Sequence, residues 1–274
     1  MPPIVTFTSD FGLTDWFVGV VHGVIHELCP TAHIVNLSHA VPPGSIGAGA
    51  FVLEAAAPDF PPGTVHLAVV DPAVGTRRLA IAVAARGQYF VGPDNGLLEW
   101  ALSDPQARVH SLADEKWMRH PVSRTFHGRD VFAPAAAHLA AGVPVEAFGP
   151  PVARPVRRRW MPPLQRGGRL DGTVVYLDRF GNALTNLSLE WLGRAFAGVD
   201  GRDLVVEVSD RRIEGIGTSY GDAPIGTLIA VMGSSGRLEI AEVGGSAAHR
   251  FGIGVGDELR VSRRERQDPA AEAK

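Results

Sequence analysis

The chain has 274 residues, more than one domain usually holds, and its composition of 45% hydrophobic and 20% charged residues excludes a disordered or fibrous protein. A net charge of −3 and a pI near 6.4 provide no strongly basic surface for nucleic acid or an anionic membrane, so small molecules are the expected partners. The N-terminus carries no basic leader and no uncharged apolar run reaches about 18 residues, so a cytoplasmic protein, neither secreted nor membrane-inserted, is expected.

From Ile4 to about Ala141, short β-branched runs alternate with helical stretches, the pattern of a parallel sheet covered on both faces. The predicted strands are Ile4–Thr8, His33–Leu37, Val65–Val70, Leu79–Ala84 and Gln88–Val91. Most are continuous apolar runs, as strands buried on both sides require. Asp15 is expected to cap a helix through Trp16, Val20, Val24 and Leu28, which is followed by Cys29, a lone cysteine read as a buried, inert thiol. Gly44–Ala57 reads as a second helix, and an alanine-rich helix after Asp130 runs through Ala141. Proline, glycine and arginine then crowd the stretch PPVARPVRRRWMPPLQRGG, expected as a linker over 151–168. Its four arginines, from Arg154 to Arg159, read as part of a solvated connector or subunit contact. Short runs at Gly172–Leu177, Asp203–Val208, Thr227–Val231, Arg237–Glu242 and Asp257–Val261 follow, with one helix, Ser188–Phe196, capped by Ser188. They predict a small β domain over 169–274 after an α/β domain over 1–150, and a frayed charged tail from Arg263 to Lys274.

Parallel α/β sheets bind ligands beyond the carboxyl ends of their strands, and there the sequence sets five polar loops. They are TSDFG at 8–12, NLSH at 36–39, DPAVGTRR at 71–78, GPDNG at 92–96 and TFHGRD at 125–130. Asp10 can accept both hydroxyls of a ribose or simply serve as a cap or turn residue. Asp71, Arg78 and His127 together supply a carboxylate, a guanidinium and an imidazole able to orient a water and stabilise its deprotonation. Singly, each has a bland reading as turn, surface cation or loop histidine. Asp10, Asp71, Asp94, Asp130, His39 and His127 also contain enough donors for a divalent metal, but no metal-ligand spacing occurs, and Arg78 and Arg129 would repel the ion. No metal is therefore expected. No dinucleotide-binding or phosphate-cradling glycine loop follows a strand, so a nucleoside ligand without phosphates fits best. Farther on, Phe180 and Asn182 in DRFGN at 178–182 could stack on and read an adenine, or form a turn around Gly181. In GSSGRLEIA at 233–241, Ser and Glu side chains are available for an amino acid's charged ends.

Seven motifs in order, TFTSDFG, NLSHAVPPG, VDPAVGTRR, VGPDNGLL, TFHGRDVFAPAAAHLA, LDRFGNALTNL and SSGRLEIAEVGGSAA, resemble the S-adenosyl-L-methionine hydroxide adenosyltransferase family, relatives of fluorinases and chlorinases. The resemblance spans nearly the whole chain. It implies an N-terminal Rossmann-like α/β domain, a C-terminal β-barrel-like domain, and a homotrimer with active sites between subunits. It further implies hydrolysis of S-adenosyl-L-methionine to adenosine and methionine, with that molecule as substrate and no cofactor. The family's triad falls on Asp71, Arg78 and His127, with Arg78 preferred over Arg77. Asp10 matches the ribose-binding aspartate, Asp178, Phe180 and Asn182 match residues holding the methionine amine and adenine, and Ser235, Glu239 and Ala241 match further substrate contacts. The chain departs from the family at Ala73, where glycine is usual, and at Ser234, where asparagine is. The short segment from Arg78 to Gly92 lacks the extra fluorinase loop, which argues against halide as nucleophile. The competing classes are a metal-dependent nucleoside or phosphoester hydrolase and a non-catalytic protein that binds S-adenosyl-L-methionine or adenosine.

Overall fold

The computed structural model describes residues 2–158 and 161–264, which divide into two compact units, 1–159 and 160–274. Arg159 and residues 265–274 of the expected frayed tail lie outside the described residues.

The first unit is built on β1 (Ile4–Ser9), β2 (His33–Ser38), β3 (Val65–Val69), β4 (Ala80–Ala85), β5 (Gln88–Pro93) and β6 (Arg108–Ser111), in the order β2-β1-β3-β5-β4-β6. The first four in that order are parallel, whereas β4 runs antiparallel to both β5 and β6, so the expected parallel sheet is a mixed one. The cause is the connection. Ala85 pairs with Gln88, leaving only Arg86 and Gly87 at φ 53° and 75° to join β4 to β5, and two residues close a hairpin but cannot span a parallel crossover. The same tight hairpin takes up the segment after Arg78. In β3, Leu67 and Val69 bury against helices α1 (Phe17–Leu28) and α4 (Ala133–Ala140), while Ala68 turns to the opposite core with α2 (Ile46–Ala56) and α3 (Glu99–Leu102). This two-sided burial explains the unbroken apolar run. Cys29 is buried, its Sγ 3.9 Å from Thr31 Oγ1.

Several local expectations are corrected. Helix α1 starts at Phe17 with Trp16 as its N-cap and no side-chain cap, so Asp15 does not cap it. Ser45 does cap α2, accepting a hydrogen bond from Ala48 N. The alanine-rich helix begins with a π-helical turn over Gly128–Phe132. Residues 151–158 are not a free linker: Pro151 bridges to His110, Val156 N donates to Asp94, and Arg157 pairs with Glu99.

The second unit contains β7 (Leu164–Arg166), β8 (Arg169–Leu177), β9 (Ala183–Ser188), β10 (Leu204–Val208), β11 (Arg211–Glu214), β12 (Ile216–Gly217), β13 (Leu228–Met232), β14 (Arg237–Glu242) and β15 (Glu258–Arg263). Their order is β11-β10-β15-β8-β9-β14-β13-β12, with β7 paired to β8 inside the expected linker. Strand β8 pairs with β15 through residues 169–173 and with β9 through 174–177, so one long strand serves both halves of the sheet. The outermost strands β11 and β12 are separated in sequence only by Gly215, which curls the sheet into a nearly closed barrel around Leu170, Leu187, Val206, Leu238, Ile240 and Val261. Ser188 caps α5 (Leu189–Ala195) through Trp191 N. A second short helix, α6 (Ala247–Phe251), was not expected; Ser246 caps it. Arg263 belongs to β15, and Arg264 N donates to Asp203 O at 2.8 Å, so these two residues of the expected frayed tail are held in place.

Candidate active site

Asp71 follows β3 by two residues, held by the apolar strand that anchors the loop. The loop folds back on itself through Val74 N to Asp71 O at 3.2 Å and Thr76 N to Ala73 O at 3.2 Å. Gly75 lies at φ 77°, and a Cβ there would stand 2.2 Å from Arg124 O, so the turn is pressed against the segment that leads to His127. The turn returns Arg78 to Asp71. Arg78 Nε donates to Asp71 Oδ1 at 3.1 Å and to Oδ2 at 2.9 Å, and Nη2 also contacts Oδ2. Both side chains are buried, at 9% and 5% exposed. The guanidinium also lies 5.2 Å over the Phe132 ring. A pair this dry offsets its desolvation only through good geometry, which the bidentate contact supplies.

Arg78 Nη2 lies 2.9 Å from His127 Nδ1. A guanidinium has only donors, so Nδ1 accepts and the neutral ring carries its proton on Nε2. Burial, and then the Arg78 charge, push the His127 pKa down and favour this neutral form. Asp71 and His127 line a cavity of about 230 Å³ together with Asp10, Phe11, Phe17 and Phe126. Asp10 Oδ2 accepts from Gly44 N at 2.8 Å, which fixes the carboxylate at the rim while further lone pairs stay available. A volume of 230 Å³ is below the range of about 300–1,000 Å³ for pockets enclosing drug-sized ligands, so this unit by itself encloses only part of one.

The five loops do not all meet here. The loop 92–96 turns away: Asp94 accepts from Val156 N and Asn95 Nδ2 donates to Val70 O. His39 is buried beside Ser9, with Nδ1 2.7 Å from Ser9 Oγ. Asp130 is consumed by Arg129 and by Ser123 N. Among the described residues, no group of three or more His, Cys, Asp or Glu side chains is placed to hold a metal ion. The aromatic wall of Phe11, Phe17 and Phe126 was missed in sequence reading, although two of the three sit inside the motifs already singled out.

In the second unit, Asp178 opens the β8–β9 turn and braces it. Its Oδ1 accepts from Phe180 N at 2.9 Å and Asn182 N at 2.8 Å, and its Oδ2 accepts from Asn182 Nδ2 at 2.9 Å. Gly181 has φ 82°, so the loop turns around it, which leaves the Phe180 ring 75% exposed beside the buried Asn182. Glu239 lies on β14 opposite Leu184 of β9, and its buried carboxylate accepts from Tyr220 Oη at 2.6 Å. Burial, with the nearby Asp178 charge, raises the Glu239 pKa. Ser235 lies in the β13–β14 turn, its Oγ buried without a hydrogen-bond partner among the described residues. Ala241 is fully buried and stands one residue past the last β9–β14 pair, Ile240 with Ala183. Tyr220 was not anticipated; nothing in the run SYGD marks it.

The family description "SAM hydroxide adenosyltransferase N-terminal domain" matches residues 5–149, and its C-terminal counterpart matches residues 172–260. An (R)-S-adenosyl-L-methionine hydrolase of Salinispora tropica is 43% identical over 95% of this chain and 98% of its own. One from Thermus thermophilus is 44% identical over 94% and 98%. A fluorinase of Actinopolyspora mzabensis is 28% identical over 95% and 97%. Among solved structures, an uncharacterized conserved protein from Thermotoga maritima superposes with a TM-score of 0.89 at 36% identity, covering 94% of this chain and all of that one. With both halves matched in order and the identity carried across almost the whole length, the chain belongs to the SAM hydroxide adenosyltransferase family.

Proposed function

We propose that this protein hydrolyses S-adenosyl-L-methionine to adenosine and L-methionine by attack of water at the ribose C5′. The observation that carries the reading is the continuous Asp71–Arg78–His127 chain set into the wall of the cavity that Asp10 rims. Asp10 receives the ribose hydroxyls, and the aromatic wall excludes bulk water from the reaction centre. His127 Nε2–H orients the attacking water, whose proton passes to Asp71, the acceptor facing the same cavity. The Arg78 charge stands directly behind both and stabilises hydroxide character. As the O–C5′ bond forms, the C5′–S bond breaks and its electron pair neutralises the sulfonium, so the leaving group needs no acid. Alignment is the protein's main contribution, and holding water in line can supply about 7–11 kcal/mol of the barrier. Arg78 already fills the place a Lewis acid would take, so the reaction proceeds without a metal or other cofactor.

Asp178 and Glu239 suit a substrate ammonium, because burial and then the Asp178 charge disfavour the ionised Glu239 carboxylate, and a cation there would offset both. Phe180 and Asn182 take the adenine, with Ser235 and Ala241 as further contacts. The protein acts in the cytoplasm as a homotrimer with active sites between subunits, and binds neither nucleic acid nor membrane. Among the described residues, no helix is long and apolar enough to cross a membrane. The test is chromatography and mass spectrometry of the full-length protein incubated with S-adenosyl-L-methionine in oxygen-18 water with a chelator. Adenosine labelled at its 5′ oxygen is expected. Intact substrate, or turnover that the chelator abolishes, refutes the reading.

A further inference from the structure

A second cavity, of about 290 Å³, opens on the other side of the triad. His127 borders both cavities, and Arg78, whose hydrogen bonds join Asp71 to His127, borders this one. The His127 side chain is therefore common to the two cavities, with Asp71 on the first and Arg78 on the second. The second cavity is otherwise walled largely by apolar groups, among them Leu112, Ala113, Met118, Val122 and Val131, with Ala113 exposed at its rim. We propose that this second cavity is the route by which the nucleophile reaches the triad, and that its width decides which small hydroxylic molecules can attack C5′. This rests on the hydrolase reading above.

The argument is geometric. In-line attack places the nucleophile opposite the sulfur, and a substrate whose ribose occupies the Asp10 cavity closes that side to bulk water. Replacement water must then arrive from behind Arg78 and His127, where the second cavity meets the triad. An apolar wall holds water weakly, so a molecule entering it gains its strong polar contacts at the triad itself. Such a passage admits small neutral hydroxyl compounds and selects among them by size.

The test measures product partition for full-length protein turning over S-adenosyl-L-methionine in aqueous methanol. Attack by methanol forms the O–C5′ bond, releases methionine as the neutral thioether and loses the hydroxyl proton to solvent, giving 5′-O-methyladenosine in place of adenosine. Met118→Ala and Val122→Ala, which widen the passage, are expected to raise the ratio of methyl ether to adenosine several-fold over wild type. Ala113→Phe, at the exposed rim, is expected to lower kcat about ten-fold with KM unchanged, the split that marks loss of a step after binding. An identical product ratio in all variants, or full turnover by Ala113→Phe, overturns the proposal. Absence of any adenosine from the wild type in plain water instead refutes the hydrolase reading, so the two failures are distinct.

Discussion

His127 carries the most chemical consequence of any single residue, because one hydrogen bond sets its tautomer. Acceptance at Nδ1 from Arg78 commits Nε2 to donation, so in the proposed reaction the ring is the orienting group and Asp71 the proton acceptor. Removing the ring leaves the ribose contact proposed for Asp10 intact. His127→Ala is therefore expected to lower kcat about 10²–10⁴-fold while calorimetry shows S-adenosyl-L-methionine still bound, whereas Asp10→Ala loses binding. Equal loss of binding in both variants would count against this division. The lowered His127 pKa adds a pH signature. The neutral ring persists below its ordinary value of 6.5, so kcat limited by this group stays flat through that pH and declines only at lower pH. A profile that falls with a midpoint at or above 6.5 would contradict the neutral donor.

At the scale of elements, the turn between β3 and β4 converts sequence proximity into a charge pair. Asp71 and Arg78 are seven residues apart, and the compact turn at Gly75 makes them partners. Gly75→Ala meets both an unfavourable φ of 77° and Arg124 O at 2.2 Å, while Gly142→Ala meets only the φ penalty, 94° with open space. Both are expected to cost about 1–3 kcal/mol of stability from backbone conformation. Only Gly75→Ala should also lose most of its turnover at temperatures where it remains folded, since its carbonyl clash displaces the triad loop. Thermal unfolding measured beside initial rates separates the two. The element pattern was legible where apolar runs were long: β1, β3 and β14 lie almost where periodicity places them. Strand β6 and helix α6 were not, because RVHS and AAHRF are too short and too mixed to carry a period, and pairing with β4 or packing beside β14 decides them.

Across the first unit as a whole, buried imidazoles couple the fold to pH. His39 and His66 both have pKa values lowered from 6.5 to about 4, chiefly by burial, and His66 is sandwiched against Phe90 at 4.8 Å. Between those values the unfolded chain binds protons that the folded one refuses, so stability is complete above pH 6.5 and is lost as pH falls toward 4. Unfolding free energies from denaturant titrations should be level from neutral pH down to about 6.5 and then drop by an amount on the order of a few kcal/mol; a flat response down to pH 4 would refute the assignment. The sequence by itself determined the α/β and β halves and the loops that hold Asp10, Asp71, Arg78 and His127, because buried strands need apolar runs and the loops beyond their ends can stay polar. Only the tertiary structure decided that Arg78 bonds His127, 49 positions further along the chain, that the loop at Asp94 turns away, that Tyr220 meets Glu239, and that a second cavity backs the triad. Those are contacts between distant segments, and which polar side chains meet is set by how packed elements orient their loops, a quantity no local pattern contains.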